Sequence, residues 1–207
     1  MITLYHHPFS RASGTVWALE EIGRPYQLEF VDIMKGGQKQ PAITKLNPMG
    51  KLPILTDGDV VVTENAAIAL YLGDRYSSGT LAPAPSDPRR GTYLRWSLFA
   101  PSVIEPAIIS KSGNWEYKPS QAGWGTFDDM TAALDTAIEG RDYILGDQFS
   151  IADTIFGGTV RYMLRFGNLK GSPALVAYAE RLRQRPALQR ADARNAAVMA
   201  EHGLKAP

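Results

Sequence analysis

Two strand-like runs with a single helix between them constrain this chain more than any other feature of its sequence. Ile2-Thr-Leu-Tyr-His6 reads as a strand, and Tyr26, Leu28 and Phe30 alternate with Gln27 and Glu29 as a second one. Between them Val16, Leu19 and Ile22 mark the apolar face of a helix over about Ser13 to Ile22, with Gly23 as its stop. Strand, helix and strand within about thirty residues make a parallel βαβ unit, because parallel strands need a crossover of that size. A hairpin follows: Leu52-Pro-Ile-Leu-Thr56 and Val60-Val-Val62 flank the turn Asp57-Gly58-Asp59. Pro53 cannot donate to a ladder, so it belongs at the head of its strand. From Asn65, the residues Ala66, Ala69, Leu70 and Gly73 predict a helix that packs closely through small side chains.

The second half reads differently. Residues 77–91 carry prolines and glycines and are the best linker candidate. Beyond them the strand signal ends. Residues 92–109 predict a helix broken or bent near Pro101 and Pro106. Met130 to Ile138 and Leu175 to Leu182 form helical stripes, and Ser150-Ile-Ala-Asp153 has the shape of a capping box. The expected organisation is an α/β domain over 1–76, a linker over 77–91, and an all-helical domain over 92–207.

Composition removes several functional classes. The net charge is +1 and no basic run exceeds Arg89-Arg90, which argues against a nucleic-acid or membrane surface. No apolar stretch approaches a spanning helix, and no charged segment followed by an apolar one opens the chain, so the cytoplasm is the expected location. There is no cysteine, which excludes disulfides, thiolate metal sites and a cysteine nucleophile. The three histidines (His6, His7, His202) lack metal-ligand spacing, so no metal is expected. Any thiol chemistry must use a thiol on the ligand.

Four segments, in this order and spacing, resemble the glutathione transferase superfamily over nearly the whole chain. They are Leu4-Tyr-His-His-Pro-Phe-Ser-Arg-Ala-Ser13 running on to Gly23, Asn47-Pro-Met-Gly-Lys-Leu-Pro-Ile-Leu55, Thr63-Glu-Asn-Ala-Ala-Ile-Ala-Leu-Tyr-Leu72, and Phe149-Ser-Ile-Ala-Asp153 with Leu175 to Pro186. The resemblance implies an α/β thioredoxin-like N-terminal domain plus an all-α C-terminal helical domain, in the bacterial-type cytosolic form with a serine-type site.

It also implies glutathione as co-substrate. Glu64 would pair with the γ-glutamyl amine, and Asn65, where the family usually has serine, would sit at a helix start whose free amides receive the carboxylate. Taken alone, Asn65 is equally an N-cap and Glu64 an acid that complements the helix dipole. Pro53 would be cis, with the backbone of Leu52 facing the cysteinyl part of the ligand, and Lys51 would approach the glycyl carboxylate. A donor near the sulfur lowers the thiol pKa. Ser10 in the first turn fits that role, Arg11 is the second candidate through its charge, and Ser13 the third. Tyr5 belongs to the core. Tyr93, Trp96, Phe99 and Trp115 are aromatic candidates for an electrophile site. Ser150 and Asp153 would support folding only. The implied activity is attack of the glutathione thiolate on a small hydrophobic electrophile, or a related glutathione-dependent reduction; the alternative is a non-catalytic module of the same fold. A homodimer is expected, with Tyr93 and Trp96 read as exposed near the subunit contact.

Overall fold

The computed structural model describes residues 1–205. Two compact units form, one from Met1–Tyr76 together with the segment that begins at Arg185, the other from Ser77–Gln184.

In the first unit, β1 (Ile2–His6), β2 (Tyr26–Phe30), β3 (Ile54–Asp57) and β4 (Val60–Thr63) form one sheet in the order β2-β1-β3-β4. β1 and β2 run parallel, in register Ile2 with Tyr26 and His6 with Phe30, as the βαβ pattern requires. β1 pairs antiparallel with β3, and β3 with β4 across the Asp57-Gly58-Asp59 turn. The helix α1 (Ala12–Ile22) makes the crossover and buries Val16, Trp17 and Leu19, then ends at Gly23 in left-handed conformation. A four-residue helix, α2 (Pro41–Thr44), lies in the loop before β3, and α3 (Asn65–Tyr76) follows β4. α3 packs on α1 with Ala66, Ile68, Ala69 and Leu72 buried. Val31, Ile43 and Ile54 form a small core with Tyr5, Leu46 and Leu52 half-buried against it. Asp57 fixes the far end of α3, accepting from Tyr71 at 2.9 Å, from Tyr76, and from Arg75 at 3.1 Å.

The last helix of the chain, α9 (Pro186–Glu201), packs along α1, whereas the sequence pattern placed everything after residue 91 in one helical domain. The reason is a pair of acids. Glu20 is buried on α1, and the side chain of its neighbour Glu21 is almost wholly covered. Glu20 accepts from Tyr26 at 2.6 Å, Arg190 at 2.7 Å and Arg194 at 2.5 Å, and Glu21 from Trp17 at 2.8 Å and Arg185 at 2.6 Å. Burial pushes the Glu20 carboxyl up, but those hydrogen bonds outweigh it and hold it below the usual range. Buried carboxylates without partners would be prohibitive, so α1 and α9 need each other.

The second unit contains α4 (Arg90–Phe99), a π-helical turn over Ala100–Ile104, α5 (Glu105–Ser112), α6 (Phe127–Ile138), α7 (Ile151–Arg165) and α8 (Pro173–Arg183). The break expected near Pro101 and Pro106 is the π turn, which absorbs the amides those prolines cannot supply. α7 is the most buried helix of the unit. Gly157 lets α8 approach it: a Cβ there would lie 2.3 Å from Leu182 and 2.8 Å from the Tyr178 hydroxyl. Residues 77–91 are part of this unit and do not behave as a free linker. Ala82 is fully buried, and the Leu81 carbonyl accepts from the Ile151 amide at 2.8 Å, completing the first turn of α7.

At the head of α7, Asp153 is completely buried and receives four hydrogen bonds: from the amides of Ile144 and Ser150, both at 2.9 Å, the Tyr178 hydroxyl at 2.8 Å and the Ser150 hydroxyl at 3.1 Å. Phe149 packs edge-on against Tyr143 with ring centres 5.6 Å apart, while Thr154 donates to the Ile151 carbonyl at 2.8 Å. Tyr93 and Trp96 are buried, which corrects their reading as exposed residues; Trp96 packs edge-on against Phe99 and Phe156. Trp115 is 55% exposed. Among the described residues, no helix is long and apolar enough to cross a membrane.

Candidate functional site

The sheet register brings three of the four sequence segments to one end of the first unit. Tyr5 pairs with Ile54, and Ile54 with Thr63. The exit of β1, the entry of β3 and the exit of β4 are therefore neighbours, and so are the residues attached to them: the turn His7–Arg11, Leu52-Pro53, and Glu64-Asn65. Sequence spacing alone cannot show this convergence, because it depends on the antiparallel pairings.

Leu52–Pro53 is a cis peptide. Ahead of it, Asn47 is buried and shapes the loop, donating to the Lys51 carbonyl at 3.0 Å and accepting from the Met49 amide at 3.1 Å. Gly50 has φ +56, and a Cβ there would lie 2.8 Å from the Gln38 carbonyl and 2.8 Å from the Lys39 side chain. That close approach puts Gln38 and Lys39 beside Lys51, two polar residues the sequence reading missed. Lys39 donates to the Met49 carbonyl at 2.7 Å, and Gln38 Oε1 is buried without a partner among the described residues. Lys51 itself is exposed. Among the described residues, no backbone group pairs with the amide or carbonyl of Leu52.

Glu64 is the cap of α3, its carbonyl accepting from the Ile68 amide at 2.9 Å, and Asn65 is the first residue inside the helix. Asn65 is thus not the cap that its residue type suggested. Glu64 is exposed and has φ +68, a left-handed conformation that is costly for any residue with a Cβ. A structural cap would be glycine or asparagine there; glutamate held in strain marks a position kept for its side chain. The amides of Asn65, Ala66 and Ala67 meet no acceptor among the described residues, so the positive end of the α3 dipole is open. Thr15, buried on α1, donates to Asn65 Oδ1 at 2.9 Å and leaves the Asn65 amide nitrogen turned away from that bond. Thr15 is a third residue the sequence reading missed; a hydroxyl on an otherwise buried helix face was its only signal.

Ser10 closes the β1–α1 turn. Its hydroxyl donates to the His7 carbonyl at 2.8 Å and accepts from the Ala12 amide at 3.2 Å. The same His7 carbonyl also accepts from the Ser10 amide at 3.0 Å, so it stays paired if the hydroxyl turns elsewhere. Arg11 precedes α1 in helical conformation, and Ser13 donates to the Ser10 carbonyl at 2.9 Å, inside the turn. His6 and His7 are both fully buried, and burial lowers both, His6 to about 4.

Residues 1–74 match the family model for the glutathione S-transferase N-terminal domain. Glutathione S-transferase Z2 of Arabidopsis thaliana is 30% identical over 186 residues, covering 84% of this chain and 82% of the relative. This chain belongs to the glutathione S-transferase family. Glutathione S-transferase hmp2 of Hypomyces subiculosus is 31% identical over 166 residues, 74% of this chain and 78% of its own. Among solved structures, the glutathione transferase URE2P6 of Phanerochaete chrysosporium, in complex with oxidized glutathione, superposes with a TM-score of 0.80 at 27% identity, over 95% of this chain and 97% of that one. As a glutathione S-transferase the protein is an enzyme of the transferase class with the thioredoxin-like and helical architecture.

Proposed function

We propose that the first unit binds glutathione along the edge formed by Ser10, Lys51, Leu52, Pro53, Glu64 and Asn65, and presents its sulfur as a thiolate to a small hydrophobic electrophile. The open head of α3 carries this reading. It offers an exposed carboxylate in a strained backbone, three amides without acceptors and the Asn65 amide, which together suit an amine and a carboxylate on one carbon. Leu52 offers its free amide and carbonyl to the middle of the tripeptide as an added strand would. Lys51, with Lys39 and Gln38 beside it, supplies charge for the glycyl carboxylate.

Ser10 then acts on the sulfur. Its hydroxyl turns from the His7 carbonyl to the thiolate and donates to it, lowering the thiol pKa from about 8.5. Arg11 adds positive charge one residue on. With chlorodinitrobenzene as electrophile, the sulfur lone pair forms the carbon–sulfur bond, chloride leaves with its electron pair, and the thiol proton has already gone to solvent. We read the enzyme as a cytoplasmic homodimer, which sedimentation at micromolar concentration tests directly.

The deciding experiment titrates the ultraviolet thiolate band of bound glutathione. Ser10→Ala should raise its pKa toward about 8.5 and slow the reaction at neutral pH about tenfold to a hundredfold, with glutathione affinity little changed. A larger rise in Arg11→Ala moves the role to Arg11. No rise in either variant would mean that neither side chain stabilises the thiolate.

A further inference from the structure

Asn195 on α9 reaches both ends of the turn that carries Ser10. Its Oδ1 accepts from His6 Nε2 at 2.7 Å, and its Nδ2 donates to the Ser13 carbonyl at 3.2 Å. His6 is the last residue of β1 and Ser13 lies in the first turn of α1, so the segment between them is the turn itself. Ser13 in its turn holds Ser10: its amide and its hydroxyl both donate to the Ser10 carbonyl, at 3.1 and 2.9 Å. The path from Asn195 to the Ser10 backbone is two hydrogen bonds long.

The His6 end of this clamp is fixed in its chemistry. His6 is fully buried, and burial keeps the ring neutral, with a pKa of about 4. A neutral imidazole has one N–H, and Asn195 Oδ1 can only accept, so that proton sits on Nε2; Nδ1 has no partner among the described residues. Arg185 at the cap of α9 and Arg190 and Arg194 within it pair with Glu21 and Glu20 in the last turns of α1. They hold the helix against the end of α1 opposite the Ser10 turn.

We infer that Asn195 is a positioning residue for Ser10, clamping His6 to Ser13 so that the turn between them holds the Ser10 backbone, and with it the point from which the hydroxyl swings to the sulfur, in one place; this rests on Ser10 being the donor to the glutathione thiolate. The role is separate from the anchoring of α9, which the arginine–glutamate pairs supply.

The test uses the full-length protein, glutathione and chlorodinitrobenzene. Wild type is titrated first, and a bound thiol with unlowered pKa there counts against the function proposed above and leaves no donor for Asn195 to position. Given a lowered pKa in wild type, Asn195→Ala should raise it and reduce kcat at neutral pH about tenfold, while KM for glutathione changes less than about twofold. Asn195→Asp keeps the acceptor for His6 but sets a carboxylate oxygen against the Ser13 carbonyl, so it should give the same shift; it carries the test if the alanine variant does not fold. Arg194→Ala should lower the melting temperature and leave the thiol pKa at its wild-type value. The inference is overturned if both Asn195 variants keep the wild-type pKa and kcat, or if Arg194→Ala shifts the pKa as far as they do.

Discussion

The heads of α3 and α7 are opposite solutions to the same problem. Every helix begins with amides that have no partner inside it. At α7 the protein closes the account locally: Ser150 and Asp153 exchange hydrogen bonds, the Leu81 carbonyl takes the Ile151 amide, and Tyr178 and the Ile144 amide fill the remaining oxygen of Asp153. At α3 nothing is closed. The cap residue stands in left-handed conformation and the first three amides meet no acceptor among the described residues. The difference separates a helix start that holds a core together from one whose first amides stay unmet by the described residues, the feature on which the proposed glutathione site rests. Both begin with polar residues at equivalent positions, so residue type alone does not distinguish them; strain and unmet hydrogen bonds do.

The largest expected effect breaks the closed start. Asp153→Ala leaves two amides and the Tyr178 hydroxyl buried without an acceptor, and should destabilise the protein by about 3–5 kcal/mol while a folded fraction binds glutathione normally. Denaturant melts with calorimetry on the folded protein check both halves; a stable variant with impaired binding would place Asp153 in a site after all.

The closed start should also titrate. Burial raises the Asp153 carboxyl to about 6, so the folded state holds a proton that the unfolded chain releases near 3.8. Its contribution to stability therefore grows as pH falls through 6 and is absent above it. His6 behaves oppositely: with its pKa lowered from 6.5 to about 4, stability is full above 6.5 and lost as pH falls toward 4. Each is worth about 3 kcal/mol across its window, so between about pH 4 and 6 they offset one another. Denaturant midpoints of Asp153→Asn between pH 7.5 and 4.5 should fall more steeply with acid than those of wild type. Parallel curves would mean that Asp153 does not bind a proton in the folded state.

At the open start, Glu64→Gln should cost about 1.5–3 kcal/mol of glutathione affinity with no loss of stability. Glu64→Gly sharpens the contrast, since it relieves the left-handed strain and should raise stability by about 1 kcal/mol while binding weakens. A glycine variant that binds glutathione as well as wild type would make Glu64 a plain cap. Smallest is Thr15→Val, which frees Asn65 from α1 and should weaken binding by about 1 kcal/mol with little change in melting temperature.

Much of the first unit was legible because its elements are local. The alternation in Tyr26 to Phe30, the Asp57-Gly58 turn and the apolar face of α1 each depend on neighbours within a few residues. The resemblance supplied the cis bond at Leu52–Pro53, which no local pattern requires. What stayed hidden depends on distant partners. Thr15 is unremarkable until Asn65 lies opposite it, and Glu20 and Glu21 look like a solvated pair until arginines from the far end of the chain arrive. α9 itself carries Pro186 at its start and many alanines, and nothing local to it shows that Arg190 and Arg194 meet Glu20. Residues 77–91 look like a linker because proline prevents regular structure, yet lack of regular structure did not mean lack of packing: Ala82 is buried and Leu81 completes a helix.

The return of α9 to α1 makes the first unit discontinuous, and that has a consequence for the newborn chain. Residues 1–76 leave the ribosome first, with two acids on α1 whose cations are still unmade. At about 5–20 residues per second, Arg185 follows on the order of ten seconds later. Over that interval the residues of the second unit, contiguous in sequence, are being added, while the first unit waits with the Glu20 and Glu21 flank of α1 facing water. Of the two units, the one begun earlier is completed later, because Arg185, Arg190 and Arg194 are added only after Gln184, the last residue of the second unit.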